Sequence, residues 1–404
     1  MLAVPSLHRV RMKRPWYEDI SACKLEDATV YGRRFSFPAG SGPRPIQHAV
    51  AQIARSVSDP GLIIVEAPMG EGKTEAALAA AEILAARTGR GGVCVALPTM
   101  ATTDAMFGRV HEWLGRLPRG CSRGDHSVYL AHGKAQLNEE FQGILSASRH
   151  TRGVRDIGQD LTSAGISEEA VAGDWMFGRK KGMLANFVVC TVDQVLMGAL
   201  NMKHLELRQL ALANKVVIID ECHAYDAYMQ QYLRRVLEWL GSWQTPVVLL
   251  SATLPETQRE EMVEAYLLGK AAYRGELDAV SVSEPYAQAE EQLGAADITL
   301  AYPLVTYTSG QTECHRAVEA SGRTSSVEVR LIDDDVERLV ALLGDVLSEG
   351  GCAGVICDTV SRAQEAFEAL SASLGPDVVC LNHARFIDID RMTQVRPSGV
   401  VLLP

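Results

Sequence analysis

Glu66-Ala67-Pro68-Met69-Gly70-Glu71-Gly72-Lys73-Thr74 decides the fold. Before it stands the apolar run Leu62–Val65; after it Thr74–Arg87 is filled with alanines, Leu78, Ile83 and Leu84, good helix formers, and Gly89 ends the run. A strand, a glycine-bearing loop closing on Lys-Thr and a helix are the context in which backbone N–H groups curl around phosphates and a helix N-terminus adds its positive end. The usual first glycine of that pattern is Ala67 here, while Gly70 and Gly72 keep the turn permissive. Ala67 to Thr74 are therefore candidate nucleotide contacts, with Lys73 on the β/γ-phosphates and Thr74 on magnesium.

Outward from this loop the same texture repeats. Val93–Leu97, Val128–Ala131, Phe187–Cys190, Val216–Ile219 and Val247–Leu250 are short, continuous apolar runs with helical stretches such as Ala101–Leu117 between them. Continuous rather than alternating runs suit strands buried on both faces, so the expected fold is α/β, a doubly wound parallel sheet. Val216–Ile219 ends in Asp220-Glu221-Cys222-His223, and Val247–Leu250 runs into Ser251-Ala252-Thr253. Strand ends of open α/β sheets are where ligands bind. Asp220 suits magnesium, Glu221 suits polarising an attacking water, and Ser251 can hydrogen-bond His223.

Composition bounds the rest. The chain has 404 residues, 47% hydrophobic and 22% charged, with net charge −11. Sizeable cores are expected, and a protein coated in basic charge is excluded. The nine cysteines form no C-x-x-C pair, which argues against zinc ribbons and redox motifs and for reduced thiols in a cytoplasmic protein. No apolar run approaches the roughly 18 residues of a membrane span, so no membrane partner is expected.

The expected organisation is a leader or linker over 1–42, an ATP-binding domain over 43–270 with an insertion or long loop at 134–186, a connector over 271–349, and a second α/β domain beginning at 350. In that last part Ala353–Cys357 and Val378–Leu381 read as strands and Val360–Leu374 as a helix.

The order of words carries a resemblance. Phosphate loop, Pro98-Thr99, Thr191-Val192-Asp193-Gln194, Asp-Glu-Cys-His and Ser-Ala-Thr follow the motif order of superfamily 2 helicases, built on RecA-like domains. Pro43-Arg44-Pro45-Ile46-Gln47 resembles their glutamine motif, which makes Gln47 a candidate adenine reader. More narrowly, Glu66–Leu78, Trp175-Met-Phe-Gly-Arg-Lys-Lys-Gly-Met-Leu-Ala185, Asp220-Glu-Cys-His-Ala-Tyr-Asp226 and His383-Ala-Arg-Phe386 look like the CRISPR-associated helicase-nuclease of type I interference. The resemblance covers residues 14–395.

It implies ATP- and magnesium-dependent movement on single-stranded DNA in antiviral defence, beside a CRISPR surveillance complex. Glu221, Asp220 and Lys73 would be catalytic; His223, Ser251 and Thr253 would couple hydrolysis to DNA. Thr99, Thr102, Thr191 and the basic Arg179-Lys180-Lys181 would contact the strand. Cys222 replaces the family's usual Val, and Asp358 stands where Asn is usual. No His-Asp dipeptide marks the family's HD nuclease, so nuclease activity is not expected and a separate HD nuclease chain is a candidate partner. The later motifs with their arginine finger have no counterpart, so the chain is expected to be truncated within the second RecA-like domain and impaired alone. The alternatives are a non-catalytic nucleotide- or DNA-binding fragment completed by another chain, and a P-loop phosphotransferase. The phosphotransferase is disfavoured by the Asp-Glu-x-His and Ser-Ala-Thr pair.

Overall fold

The structure is a computed structural model that describes residues 28–37, 41–117, 127–135, 138, 140–144, 181–200, 202–274, 301–322, 328–382 and 400–403. The chain divides into two compact units, with the boundary after Arg323.

In the first unit the strands are β1 (Leu62–Glu66), β2 (Val93–Leu97), β3 (Val128–Ala131), β4 (Phe187–Thr191), β5 (Val216–Ile219), β6 (Val247–Ser251), β7 (Leu304–Ser309) and β8 (Thr312–Ala317). The helices that pack on them are α1 (Ala28–Phe35), α2 (Pro45–Ser56), α3 (Lys73–Thr88), α4 (Met100–Gly115), α5 (Val192–Leu196), α6 (Leu205–Ala213), α7 (Ala227–Ser242) and α8 (Glu256–Arg274). The sheet order is β3-β4-β2-β5-β6-β1-β7-β8. All pairings among β1 to β6 are parallel, whereas β7 runs antiparallel to β1 and β8 antiparallel to β7.

The continuous apolar runs follow from burial on both faces. Ile63, Val65, Val95, Leu97, Val189 and Ile218 project into one core with residues of α2, α3 and α4. Their neighbours Leu62, Ile64, Cys94, Ala96, Cys190 and Ile219 project into the other, with residues of α5 to α8. Where α7 and α8 cross, a Cβ at Gly269 would stand 1.8 Å from the Glu238 carbonyl oxygen, so only glycine admits that approach. The described cysteines are free, and Cys94 Sγ lies 3.7 Å from Cys190 Sγ inside the second core.

Two boundaries differ from the sequence reading. The leader of 1–42 contains α1, whose Tyr31 is fully buried against the first core and stacks on Phe37 at 5.4 Å. Its Arg34 forms a buried ion pair with Glu82 of α3 at 3.1 Å. The connector of 271–349 contains β7 and β8, which extend the first sheet; β8 is half exposed at the sheet edge, so its polar Thr-Glu-Cys-His-Arg-Ala lacks the apolar run that marks a central strand. Most of 134–186 lies outside the described residues, though Phe141 near its start is buried edge-on against Phe107 at 5.6 Å.

In the second unit β9 (Gly354–Ile356), β10 (Val379–Leu381) and β11 (Val400–Leu403) form a parallel sheet in the order β10-β11-β9. It is accompanied by α9 (Val336–Val346) and α10 (Val360–Leu374). Among the described residues no helix is long and apolar enough to cross a membrane.

Lys215, just before β5, is fully buried, with Nζ donating to the carbonyls of Met183 (2.9 Å) and Ala211 (2.8 Å). Burial lowers its pKa to about 8. A lysine depressed in the folded state binds its proton less firmly than in the unfolded chain, so the unfolded state holds more protons between about pH 8 and 10. Unfolding free energy is therefore expected to climb over that window, by up to roughly 3 kcal/mol. Denaturant melts of wild type and Lys215→Met at pH 7 and 9.5 check this: the climb belongs to wild type and is lost in the variant.

Candidate nucleotide site

The site is assembled at the C-terminal ends of β1, β5 and β6, which are neighbours in the sheet order β5-β6-β1. At the end of β1, Glu66 leads into the loop from buried Ala67 to Lys73. Gly70 and Gly72 take left-handed φ values of 80° and 78°, which explains why glycine stands at both. Met69 is fully outside at 82% exposure, while Glu71 is buried and accepts a hydrogen bond from Ser321 Oγ.

Lys73 Nζ folds back onto its own loop, donating to the Ala67 carbonyl at 2.5 Å and the Pro68 carbonyl at 3.1 Å. Partial burial lowers its pKa, opposed by the fields of Asp220, Glu221 and Glu71. Thr74 Oγ1 lies 3.5 Å from Arg109 Nη1, and the same guanidinium pairs with Glu75. Arg109, on α4, also bears electrostatically on Asp220, a contribution no motif spacing announces.

Asp220 is anchored where β5 ends: its N–H donates to Ala96 O at 2.9 Å and its carbonyl accepts from Tyr225 Oη at 2.9 Å. Burial raises the Asp220 carboxyl, with Lys73 and Arg109 pulling it back down. Glu221 adopts a left-handed φ of 54°, an uncommon conformation for a residue with a side chain, and turns its carboxylate to His223 Nε2 at 3.2 Å. On the other side His223 Nδ1 meets Ser251 Oγ at 3.2 Å and the Ala252 N–H at 3.4 Å. Accepting from an amide fixes the ring proton on Nε2, facing Glu221. His223 thus bridges the ends of β5 and β6. Ser251 Oγ is also within 2.8 Å of the Thr253 carbonyl, with Thr253 itself exposed.

Gln47 is buried, and its amide is committed to the protein at both ends. Oε1 accepts from Arg44 N–H at 2.8 Å, and Nε2 donates to the Gly72 carbonyl at 3.2 Å, which ties α2 to the loop. Of the strand contacts expected from the sequence, Thr99 and Thr102 lie at the start of α4, where Thr99 Oγ1 caps the helix by accepting from Thr102 N–H at 3.2 Å. Thr191 ends β4 and is buried, at 7% exposure. Lys181 is exposed, while Arg179, Lys180, Trp175, Phe177 and His383 lie outside the described residues.

One further ion pair was not visible in the sequence. Arg259 of α8 reaches Glu66 at 3.1 Å, both nearly buried, beneath the root of the loop. Removing one partner of such a pair costs about 3–5 kcal/mol because the other charge is left buried alone.

A strand–loop–helix with two carboxylates and a histidine relay on adjacent strand ends is the arrangement expected of a helicase-type nucleotide site. In agreement, the family model for the DEAD/DEAH box helicase matches residues 150–262. The relatives narrow this further. The CRISPR-associated nuclease/helicase Cas3 of Streptococcus thermophilus is 36% identical over 364 residues, covering 90% of this chain and 36% of that protein. Crystal structures of T. fusca Cas3 and T. fusca Cas3-ATP each match with a TM-score of 0.70 at 31% identity, over 94% of this chain and 43% of that one. A chain of a CRISPR RNA-guided surveillance complex, pre-nicking, matches with a TM-score of 0.55 at 28% identity, over 89% of this chain and 38% of that one. This chain is similar to Cas3 helicases over most of its own length and has a RecA-like fold. It spans about a third of the length of the curated relatives it matches.

The double commitment of Gln47 generates a test. Gln47→Ala is expected to weaken ATP and GTP binding in parallel, several-fold each, because what it loses first is the strap on Gly72. Titration with both nucleotides checks this; a loss confined to ATP would assign Gln47 to the adenine edge instead.

Proposed function

We propose that this chain is the ATP-driven motor portion of a Cas3-type helicase, moving on single-stranded DNA in CRISPR antiviral defence in the cytoplasm. The observation that carries the reading is the relay from Glu221 through His223 to Ser251 and Ala252, set beside a loop whose lysine already lies among its own carbonyls. In this reading the triphosphate displaces Lys73 from the Ala67 and Pro68 carbonyls and takes its ammonium. The amides of residues 70–74 and the start of α3 meet the phosphate charge.

Magnesium fits the residues present. Among the described residues no three His, Cys, Asp or Glu side chains converge as a closed metal cage. Two hard oxygen donors, Thr74 Oγ1 and the Asp220 carboxylate, are what a magnesium ion shared with phosphates and water requires. When bound, that ion supplies positive charge against the phosphate oxygens. Glu221, its carboxylate oriented by His223, accepts the proton of the attacking water. His223 then reports the state of the site to the Ser251–Thr253 turn, and Thr99, Thr102, Thr191 and Arg179-Lys180-Lys181 contact the phosphates of the strand without reading bases.

The surveillance-complex match is the basis for a similar complex as the recruiting partner, with an HD nuclease, on this or a separate chain, as the activity served. Hydrolysis by the 404-residue polypeptide alone is expected to be slow, because the family's arginine finger finds no match among its residues. Such arginines are worth on the order of 10³–10⁵ in turnover in GTPases.

The test is magnesium-dependent ATP binding and hydrolysis by the chain, with and without single-stranded DNA. Wild type is expected to bind ATP and turn it over slowly, faster with DNA. Lys73→Ala loses binding; Glu221→Gln keeps binding and loses about 10²-fold of the remaining turnover. Binding with no turnover under any condition would favour the second reading, a nucleotide-binding fragment completed by another chain. No binding would overturn both.

A further inference from the structure

The pair β7–β8 is placed where it touches both halves of the site. Leu304 of β7 pairs with Glu66 from one side while Ser251 of β6 pairs with Glu66 from the other. Glu66 roots the phosphate loop, and Ser251 opens the turn that holds His223. The residues flanking the strand pair reach past these roots. Before β7, Tyr302 Oη donates to the Ala252 carbonyl at 2.6 Å. After β8, Ser321 Oγ donates to Glu71 Oε1 inside the loop. Tyr302 is 46% exposed, so packing alone does not hold it there. Burial, then the nearby Glu66 and Glu71 carboxylates, raise its phenol, which keeps Tyr302 a neutral donor.

The Glu71 contact has a physical purpose. A carboxylate within a loop of anion-seeking amides competes with a phosphate and repels it. Ser321 holds that carboxylate. A polyanion entering the loop would push on Glu71, and Glu71 would pull on Ser321 in the segment that follows β8. The strand pair is registered from Leu304↔Ala317 to Ser309↔Thr312 and cross-linked where Thr306 Oγ1 meets His315 Nδ1 at 3.0 Å. It is therefore a stiff unit, held along β1 from Ile63↔Tyr307 to Glu66↔Leu304, that passes strain on rather than absorbing it. Its other end is Tyr302, bonded to the residue whose N–H faces His223.

We propose that β7–β8 is a clasp through which occupancy of the phosphate loop is passed to the Ser251–Leu254 turn and His223, with Ser321 and Tyr302 as its two positioning residues. This rests on the nucleotide reading of residues 67–74.

Hydrogen exchange of the full chain with and without magnesium-ATP tests it, alongside ATP affinity and thermal midpoint, in wild type, Tyr302→Phe and Ser321→Ala. In wild type, ATP slows exchange about tenfold or more in peptides spanning 67–74 and also in those spanning 249–254. In Tyr302→Phe, which keeps the ring, ATP affinity stays within about twofold and the slowing at 67–74 persists, while the slowing at 249–254 is lost. Ser321→Ala, which also frees Glu71 and so changes ATP affinity, likewise loses the slowing at 249–254 when compared at saturating ATP, and carries the test should the tyrosine variant fail to fold. Slowing at 249–254 retained in both variants overturns the clasp and leaves the nucleotide reading standing. Absence of slowing at 67–74 in wild type overturns the nucleotide reading, and the clasp with it.

Discussion

Burial of both faces of a parallel sheet is the constraint on which the rest depends. Parallel neighbours need crossover connections rather than hairpins, and the described helices cover both faces of the sheet. That requirement makes the bodies of β1 to β6 continuously apolar and puts all their C-terminal ends on one edge. Glu66, Asp220 and Ser251 stand there because the packing of Leu62–Val65, Val216–Ile219 and Val247–Leu250 leaves the next residues nowhere else to go. The core positions the chemistry to within a residue before any polar contact forms.

Polar contacts then fix the details, and each strand end is held by its neighbour. Glu221 is turned by a left-handed backbone toward His223, and His223 is turned by the Ala252 amide. Gln47 braces Gly72 from α2, and Arg259 neutralises the carboxylate buried under the loop. A network with most of its buried polar groups paired is rigid and specific, and costly to leave half made. Lys73 is held on two carbonyls of its own loop, a position that in the proposed reading an incoming phosphate contests.

Much of this was legible in the sequence, for a physical reason. Continuous apolar runs mark two-sided burial, so the expected strands agree with β1 to β6 to within one residue; the α/β class follows from their alternation with helices, and its RecA-like form from the helicase resemblance. The candidate phosphate loop and the Asp-Glu-Cys-His turn stand out because the chemistry proposed for them needs particular residues at fixed spacing. What escaped notice lacks either property. β8 lies at an edge, half exposed and largely polar, so no burial pattern announces it. Arg109 and Arg259 are single helix residues brought to the site by tertiary packing, and Tyr302 and Ser321 by the course of the chain around β7–β8. Gln47 was visible as a residue, but its engagement with Arg44 and Gly72 is a matter of geometry that spacing cannot supply.

The loop from Ala67 to Thr74 is proposed as a nucleotide site whose own lysine rests on its carbonyls until phosphate arrives. A structure of the chain with magnesium and a non-hydrolysable ATP analogue tests it most directly. The account predicts the β- and γ-phosphates within the loop, Lys73 Nζ moved from the Ala67 and Pro68 carbonyls onto phosphate oxygens, and the ion between Thr74 and Asp220. A nucleotide bound elsewhere, with Lys73 still on those carbonyls, would contradict it.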